Sequence, residues 1–183
     1  LSLASYSLRD YLQAKPGSKG AMDLLGFLDY CAEQGLAGAE LTSYYFPKEI
    51  TPQYLMEVKR RAHLRGLAIS GGAIANDYCQ PPGVQLDKDM AHTRQWIDYY
   101  ADLGAPVIRI FAGHPARGES EQTAIDRCIE NCTAACGLAA KRGVMLALEN
   151  HGGITTKAET MLKIVRGVQS DWFGVNFDSG NFR

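Results

Sequence analysis

The sequence predicts an α/β protein: a (β/α)8 barrel of which about six β/α units are present. Three observations carry that prediction. Short apolar runs alternate six times with amphipathic stretches of helical period, and in one chain that alternation means parallel strands covered by helices. Polar residues recur just after the runs, at Tyr6, Glu40, His114, Glu149 and Asp178, with a Gly71-Gly72 turn after the third run. A site assembled from many strand ends belongs to a barrel mouth rather than to a single crevice. No glycine fingerprint follows the first run, so a dinucleotide-binding open sheet loses its best support. A full barrel takes about 250 residues. The 183 residues are therefore read as one domain, 1–183, that lacks its C-terminal units.

Residues 1–6 alternate in polarity and predict a first strand. Leu8 to Gly20 reads as a loop, with Lys15-Pro16-Gly17-Ser18 as its turn. From Ala21 the period changes: Leu24, Leu28 and Cys31 share a helical face, and Gly35 stops the helix. A strand follows over Ala37–Leu41. Thr51 caps a second helix, with Pro52 where its missing N–H costs nothing and Gly66 as its end. The run Lys59, Arg60, Arg61 and Arg65 reads as a solvated face. Leu67–Ser70 forms the third strand, running into Gly71-Gly72. Met90, Thr93, Ile97 and Tyr100 stripe the next helix, which Gly104 closes. Val107–Phe111 is the fourth strand, a helix spans about Ser120 to Arg142, and the run ending in Glu149 is the fifth strand. A helix near Lys157–Arg166 and a sixth strand leading to Asp178 complete the pattern.

Charge and cysteine content narrow the function. A formal net charge of −1 gives no electrostatic grip on nucleic acid or on an anionic membrane, and no apolar run is long enough for a membrane span. Five cysteines, an odd number without framework spacing, suit a reducing compartment, so the cytoplasm is the expected location. The chain starts at Leu1 rather than Met, which leaves an upstream export signal open. Cys128, Cys132 and Cys136 recur every fourth residue on one stripe with Ile125, Ile129, Ala135 and Ala139. Small apolar side chains on a buried helix face explain that spacing better than a metal cluster does.

The stretch with most chemistry is Val144–Gly153. Its apolar run reads as a strand buried on both faces, and it ends in Glu149-Asn150-His151. The pattern repeats one unit later in Phe173–Asn181, with Asp178 at the tip. His151 is read as a group that binds a substrate hydroxyl or orients Glu149, or else as a loop imidazole satisfied by backbone. His114 is a candidate mouth residue, and Tyr6 a candidate substrate contact. Arg109, in mid-strand, needs an internal partner, for which Glu40 is the candidate.

At Leu146-Ala-Leu-Glu149-Asn150-His151 and Asn176-Phe-Asp178-Ser-Gly-Asn181 the chain resembles the xylose isomerase-like barrel superfamily, more narrowly its sugar phosphate isomerase/epimerase group. Leu3–Arg9, Gly38-Ala-Glu40-Leu and Val107-Ile-Arg109 extend the likeness along the chain. The resemblance implies a divalent metal held by a Glu after the fifth strand and an Asp after the sixth, here Glu149 and Asp178. It also implies a His and a second Glu beyond Arg183. Three carboxylates and one imidazole form a hard set suited to Mn²⁺ or Mg²⁺, with Zn²⁺ or Co²⁺ as alternatives. Asn181 stands where related enzymes often carry a substrate-contacting histidine; it can hydrogen-bond substrate but does not titrate.

The activity so implied is a sugar or sugar phosphate isomerase or epimerase. It works by proton transfer through a metal-stabilised enediolate, with Glu149 as both ligand and proton carrier. A polyol dehydratase using the same site and a non-catalytic carbohydrate-binding barrel are the alternatives. An apurinic endonuclease on this scaffold would need further histidines at the third and fourth strand ends and after the Asp, of which only His114 is present. The expected partner is a small sugar or polyol, with no nucleic acid and no membrane; a homo-oligomer stays open.

Overall fold

The computed structural model describes residues 1–15 and 17–181, so Pro16 of the expected turn lies outside the described residues. The chain forms two compact units: Leu1–Ala73 with Tyr99–Pro106, and Ile74–Asp98 with Val107–Arg183.

The first unit holds three parallel strands in chain order. They are β1 (Ser2–Ala4), β2 (Gly38–Thr42) and β3 (Ala68–Ala73), with Leu3 opposite Ala39 and Ala39 opposite Ile69. Between β1 and β2 lie α1 (Arg9–Leu12) and α2 (Leu24–Glu33); α3 (Pro52–Leu64) connects β2 to β3. The helices start where the chain supplies caps. The Asp23 carboxylate accepts the Gly26 N–H at 2.8 Å, and the Thr51 hydroxyl accepts that of Tyr54 at 3.1 Å with Pro52 at the first turn. Gly35 and Gly66 end α2 and α3 at φ +68° and +71°, a conformation that glycine adopts without strain. The predicted solvated basic face is partly engaged: Arg61 and Arg65 both reach Asp29, each at 2.8 Å.

Three expectations for this unit fail. The first strand stops at Ala4, and Tyr6 sits in a 3-10 turn over Ser5–Leu8. The buried Ser5 hydroxyl accepts the Thr42 N–H at 2.8 Å, which ties the turn to the end of β2. The stretch read as loop from Leu8 contains α1. Gly71-Gly72 is likewise no turn: both glycines lie inside β3, just after a register shift between Ala39 and Glu40 of β2. The reason is Tyr100, near the end of α4 (Val84–Leu103). Its buried ring occupies the space a side chain at Gly72 would need. Its hydroxyl donates to the Leu41 carbonyl at 2.5 Å and accepts the Ala73 N–H at 3.3 Å.

The second unit repeats the architecture with β4 (Val107–Ile110), α5 (Glu121–Ala140), β5 (Met145–Glu149), α6 (Ala158–Gly167) and β6 (Phe173–Asn176). Ile108 faces Leu146 across the β4–β5 ladder, and Glu149 faces Asn176 across β5–β6. The core holds Ile108, Ile110, Leu146, Leu148 and Ile164, all fully buried. Cys128, Cys132 and Cys136 line the inner face of α5 with Ile125, Ala135 and Ala139, as the spacing predicts. Burial pushes the Cys136 thiol up to about 11, so it stays an uncharged packing group at neutral pH. Among the described residues no helix is long and apolar enough to cross a membrane.

Gly72→Ala should destabilise the protein by about 1–3 kcal/mol, because its methyl group must displace the Tyr100 ring. Gly137→Ala, on α5 with nothing within 4 Å of the added carbon, should be neutral or stabilising by up to about 1 kcal/mol. Urea denaturation of the two variants checks the pair; equal effects would contradict the packing assigned to Gly72.

Candidate active site

The second unit brings the ends of β5 and β6 together. Glu149 closes β5, only 7% exposed, and the parallel register sets it level with Asn176. The residue after it, Asn150, is 1% exposed. Its side-chain amide clamps the next tip from both sides: Nδ2 donates to the Asp178 carbonyl and Oδ1 accepts the Asp178 N–H, each at 2.8 Å. An amide side chain that mimics a strand partner in this way carries the ladder two residues past β6, where Asp178 stands.

Four of the residues singled out in the sequence meet here. Asn181 Nδ2 donates to Glu149 Oε1 at 3.1 Å and to Asp178 Oδ2 at 3.0 Å, so both carboxylates turn toward one atom. His151 Nδ1 lies 2.7 Å from Glu149 Oε1 and 3.2 Å from the same Asn181 nitrogen. With its Nδ1 proton on Glu149, the half-exposed imidazole keeps Nε2 for other partners. The other Asp178 oxygen accepts the Gly180 N–H at 2.7 Å, which curls the chain so that Asn181 returns over the carboxylates.

The remaining Glu149 oxygen is taken by Arg109. Its Nε stands 2.9 Å from Oε2, with the two side chains 12% and 9% exposed, and Asn176 Nδ2 adds a longer contact at 3.4 Å. Arg109 also donates from Nη1 to the Ile74 carbonyl at 2.8 Å, and its guanidinium lies 3.9 Å from the centre of the Phe111 ring. Phe111 in turn stacks on His151 at 4.4 Å. The internal partner that a mid-strand arginine requires is thus found within its own unit. Sequence reasoning missed this pair, although both residues were in view, because strand pairing could not be assigned from the chain alone. It also gave Asn150 no role; the usable signal was an amide set between two candidate site residues.

His114 and Tyr6 stand apart from that cluster. His114, exposed after β4, lines a cleft of about 130 Å³ that it shares with His151. Tyr6 belongs to the first unit, where it is half-exposed with the Arg9 guanidinium 5.2 Å from its ring centre.

Parallel strands joined by helices, with polar side chains gathered at their C-terminal ends, define an α/β protein built on a parallel sheet. The chain belongs to the xylose isomerase-like TIM barrel family, whose model matches residues 28–183. No curated protein sequence matches it. Similar solved structures include the IOLI protein with a binding zinc atom, at 15% identity and a TM-score of 0.79 over 100% of this chain and 63% of that one. D-psicose 3-epimerase in the presence of D-fructose follows at 16% identity and 0.78, over 97% and 62%. The probable 3-DHS dehydratase AsbF, involved in petrobactin synthesis, from Bacillus anthracis, matches at 18% and 0.75, over 99% and 63%. At such identities the likeness is one of fold. The chain spans less than two thirds of the length of each of these structures.

Arg109→Met should cost roughly 3–5 kcal/mol, since it leaves a buried carboxylate without its ion partner. In a Glu149→Gln background the same substitution should cost clearly less. A double-mutant cycle from thermal or urea unfolding measures the difference; identical costs in both backgrounds would mean that the pair is not coupled.

Proposed function

We propose that the protein is a divalent-metal-dependent isomerase or epimerase of sugars. The observation that carries the reading is the convergence of Glu149 Oε1 and Asp178 Oδ2 on a single atom, at 3.1 and 3.0 Å. Two hard oxygen donors that close together fit a hard cation such as Mn²⁺ or Mg²⁺. The zinc in the similar IOLI structure keeps Zn²⁺ in view. Glu149 and Asp178 would hold the ion, with the rest of its shell supplied from outside the described residues. When bound, it would polarise the carbonyl and neighbouring hydroxyl of the substrate and so acidify the C–H between them.

The chain's own residues then have distinct tasks. Glu149 would take that proton, its carboxylate held in place by Arg109 through Oε2. Asp178 would carry no proton and would hold its position through the Asn150 clamp and the Gly180 N–H. His151 would orient Glu149 through Oε1, and Asn181 would supply neutral hydrogen bonds to the carboxylates or to a substrate hydroxyl. His114 and Tyr6 are proposed as outer substrate contacts. Return of the proton to the adjacent carbon would give isomerisation, and return from the opposite face epimerisation. The same reading treats residues 1–183 as part of one barrel domain. The fold likeness to the dehydratase keeps a second outcome in view, in which the same first proton abstraction leads to loss of water.

Glu149→Gln tests the proposal. The amide is isosteric but a poorer ligand and no base. Exchange of substrate C–H with D₂O, screened over keto and aldo sugars, should therefore fall at least about 100-fold, and Mn²⁺ affinity measured by calorimetry should fall with it. Far-UV circular dichroism should be unchanged. Turnover at the unsubstituted rate would remove Glu149 as the proton carrier, and a metal analysis of the intact protein showing no divalent ion would remove the cofactor.

A further inference from the structure

The cleft beside the carboxylate pair carries information about substrate that the pair does not. It is bounded by Asn76, Asp77, Phe111, His114, His151 and Thr155 and holds about 130 Å³. At about 30 Å³ per water that is room for roughly four waters, the size of a short hydroxylated carbon segment. One wall is the His151 imidazole, whose Nδ1 is 2.7 Å from Glu149 Oε1, so one imidazole separates an occupant from the proposed reacting group.

The walls are rich in acceptors. Asp77 Oδ1 accepts the Cys79 N–H at 2.9 Å and Oδ2 accepts the Gln80 amide at 2.8 Å, and each oxygen keeps a further lone pair. The carboxylate fits only because residue 113 is glycine: at φ +108° a side-chain carbon there would run into Asp77. Asn76 donates to the Phe111 carbonyl at 2.6 Å and accepts the Phe111 N–H at 2.9 Å, which fixes that wall to the end of β4. Thr155 donates to the Glu149 and Gly152 carbonyls and accepts the His151 N–H. Among the described residues lining the cleft none is lysine or arginine. Arg109, two residues before Phe111, has its charge on Glu149, and Lys157, two residues after Thr155, is exposed.

Resting on the isomerase reading, we infer that this cleft receives a neutral, hydroxyl-bearing end of the substrate, so that the protein acts on unphosphorylated sugars and discriminates against their phosphate esters. A hydroxyl can donate to Asp77 and exchange hydrogen bonds with His114 and the free nitrogen of His151. A phosphate dianion calls for a guanidinium fork, a lysine or a helix N-terminus; here it would meet a carboxylate held in place by its own loop. The charge on Asp77 is the discriminating element, acting by repulsion rather than by added contact.

The test compares D-fructose with D-fructose 6-phosphate as substrates for exchange with D₂O, using the protein loaded with Mn²⁺. The value of kcat/KM for the free sugar should exceed that for the ester at least 100-fold. Asp77→Asn keeps the shape and the Oδ1 acceptor, and Gln80 can turn its amide to match. This variant should narrow the preference at least tenfold. Equal or better turnover of the ester would overturn the inference and leave the isomerase reading standing. An unchanged preference in Asp77→Asn would remove Asp77 as its cause and overturn the inference in the same way. Exchange on neither compound, nor on other free keto and aldo sugars, would defeat the isomerase reading and this inference with it.

Discussion

Glu149 is a carboxylate almost wholly out of water, and it stays there because Arg109 comes with it. Burying either charge alone costs several kcal/mol. Together, at 2.9 Å, they neutralise each other, and the guanidinium donates from Nη1 to the Ile74 carbonyl and lays its flat face on the Phe111 ring. The pairing decides which way Glu149 points. With Oε2 directed at β4, Oε1 has only one direction left, toward the ends of β5 and β6. Every other feature of the site follows from that orientation: the bond from His151, the bonds from Asn181, and the approach of Asp178.

Amide side chains carry the order of the strands beyond the strands themselves. β5 and β6 pair only as far as Glu149 and Asn176. Asn150 then offers the Asp178 backbone the donor and acceptor that a further ladder step would have provided. Asn76 does the same for Phe111 past the end of β4. Loops at barrel mouths are polar and wet, and a carboxylate placed on an untethered loop would wander. Two buried asparagines turn two such loops into extensions of the sheet, so that Phe111 and Asp178 are held nearly as firmly as the strand residues before them.

Much of this was legible from the residues alone. Helix starts at Thr51 and Ser120, stops at Gly35, Gly66, Gly104 and Gly143, and the cysteine stripe of α5 all follow from local chemistry, which a sequence displays directly. The convergence of Glu149 and Asp178 was legible because both stand at the ends of consecutive apolar runs. What failed depended on partners distant in the chain. Gly71-Gly72 has the composition of a turn, yet it is strand because Tyr100, 28 residues beyond Gly72, fills the room a side chain would need. The Ser5 hydroxyl bonds to Thr42, 37 residues away, and Tyr6 leaves the strand with the turn that this bond anchors. Arg109 was recognised as a buried cation in need of a partner. Which carboxylate it would meet depended on side-chain direction across a ladder, and no periodicity encodes that.

The charge count of the cluster bears on the proposed cofactor independently of any likeness to other proteins. Two carboxylates, Glu149 and Asp178, are drawn together against a single guanidinium, and the group that bridges them, Asn181, brings donors without charge. Amide hydrogens soften the repulsion between two carboxylates but do not cancel it, since the charge that remains has little water to screen it beside Glu149. Asparagine at position 181 cannot add charge by taking up a proton. The divalent cation proposed above would bring positive charge to the point where these oxygens converge, beside the His151 imidazole 2.7 Å from Glu149 Oε1.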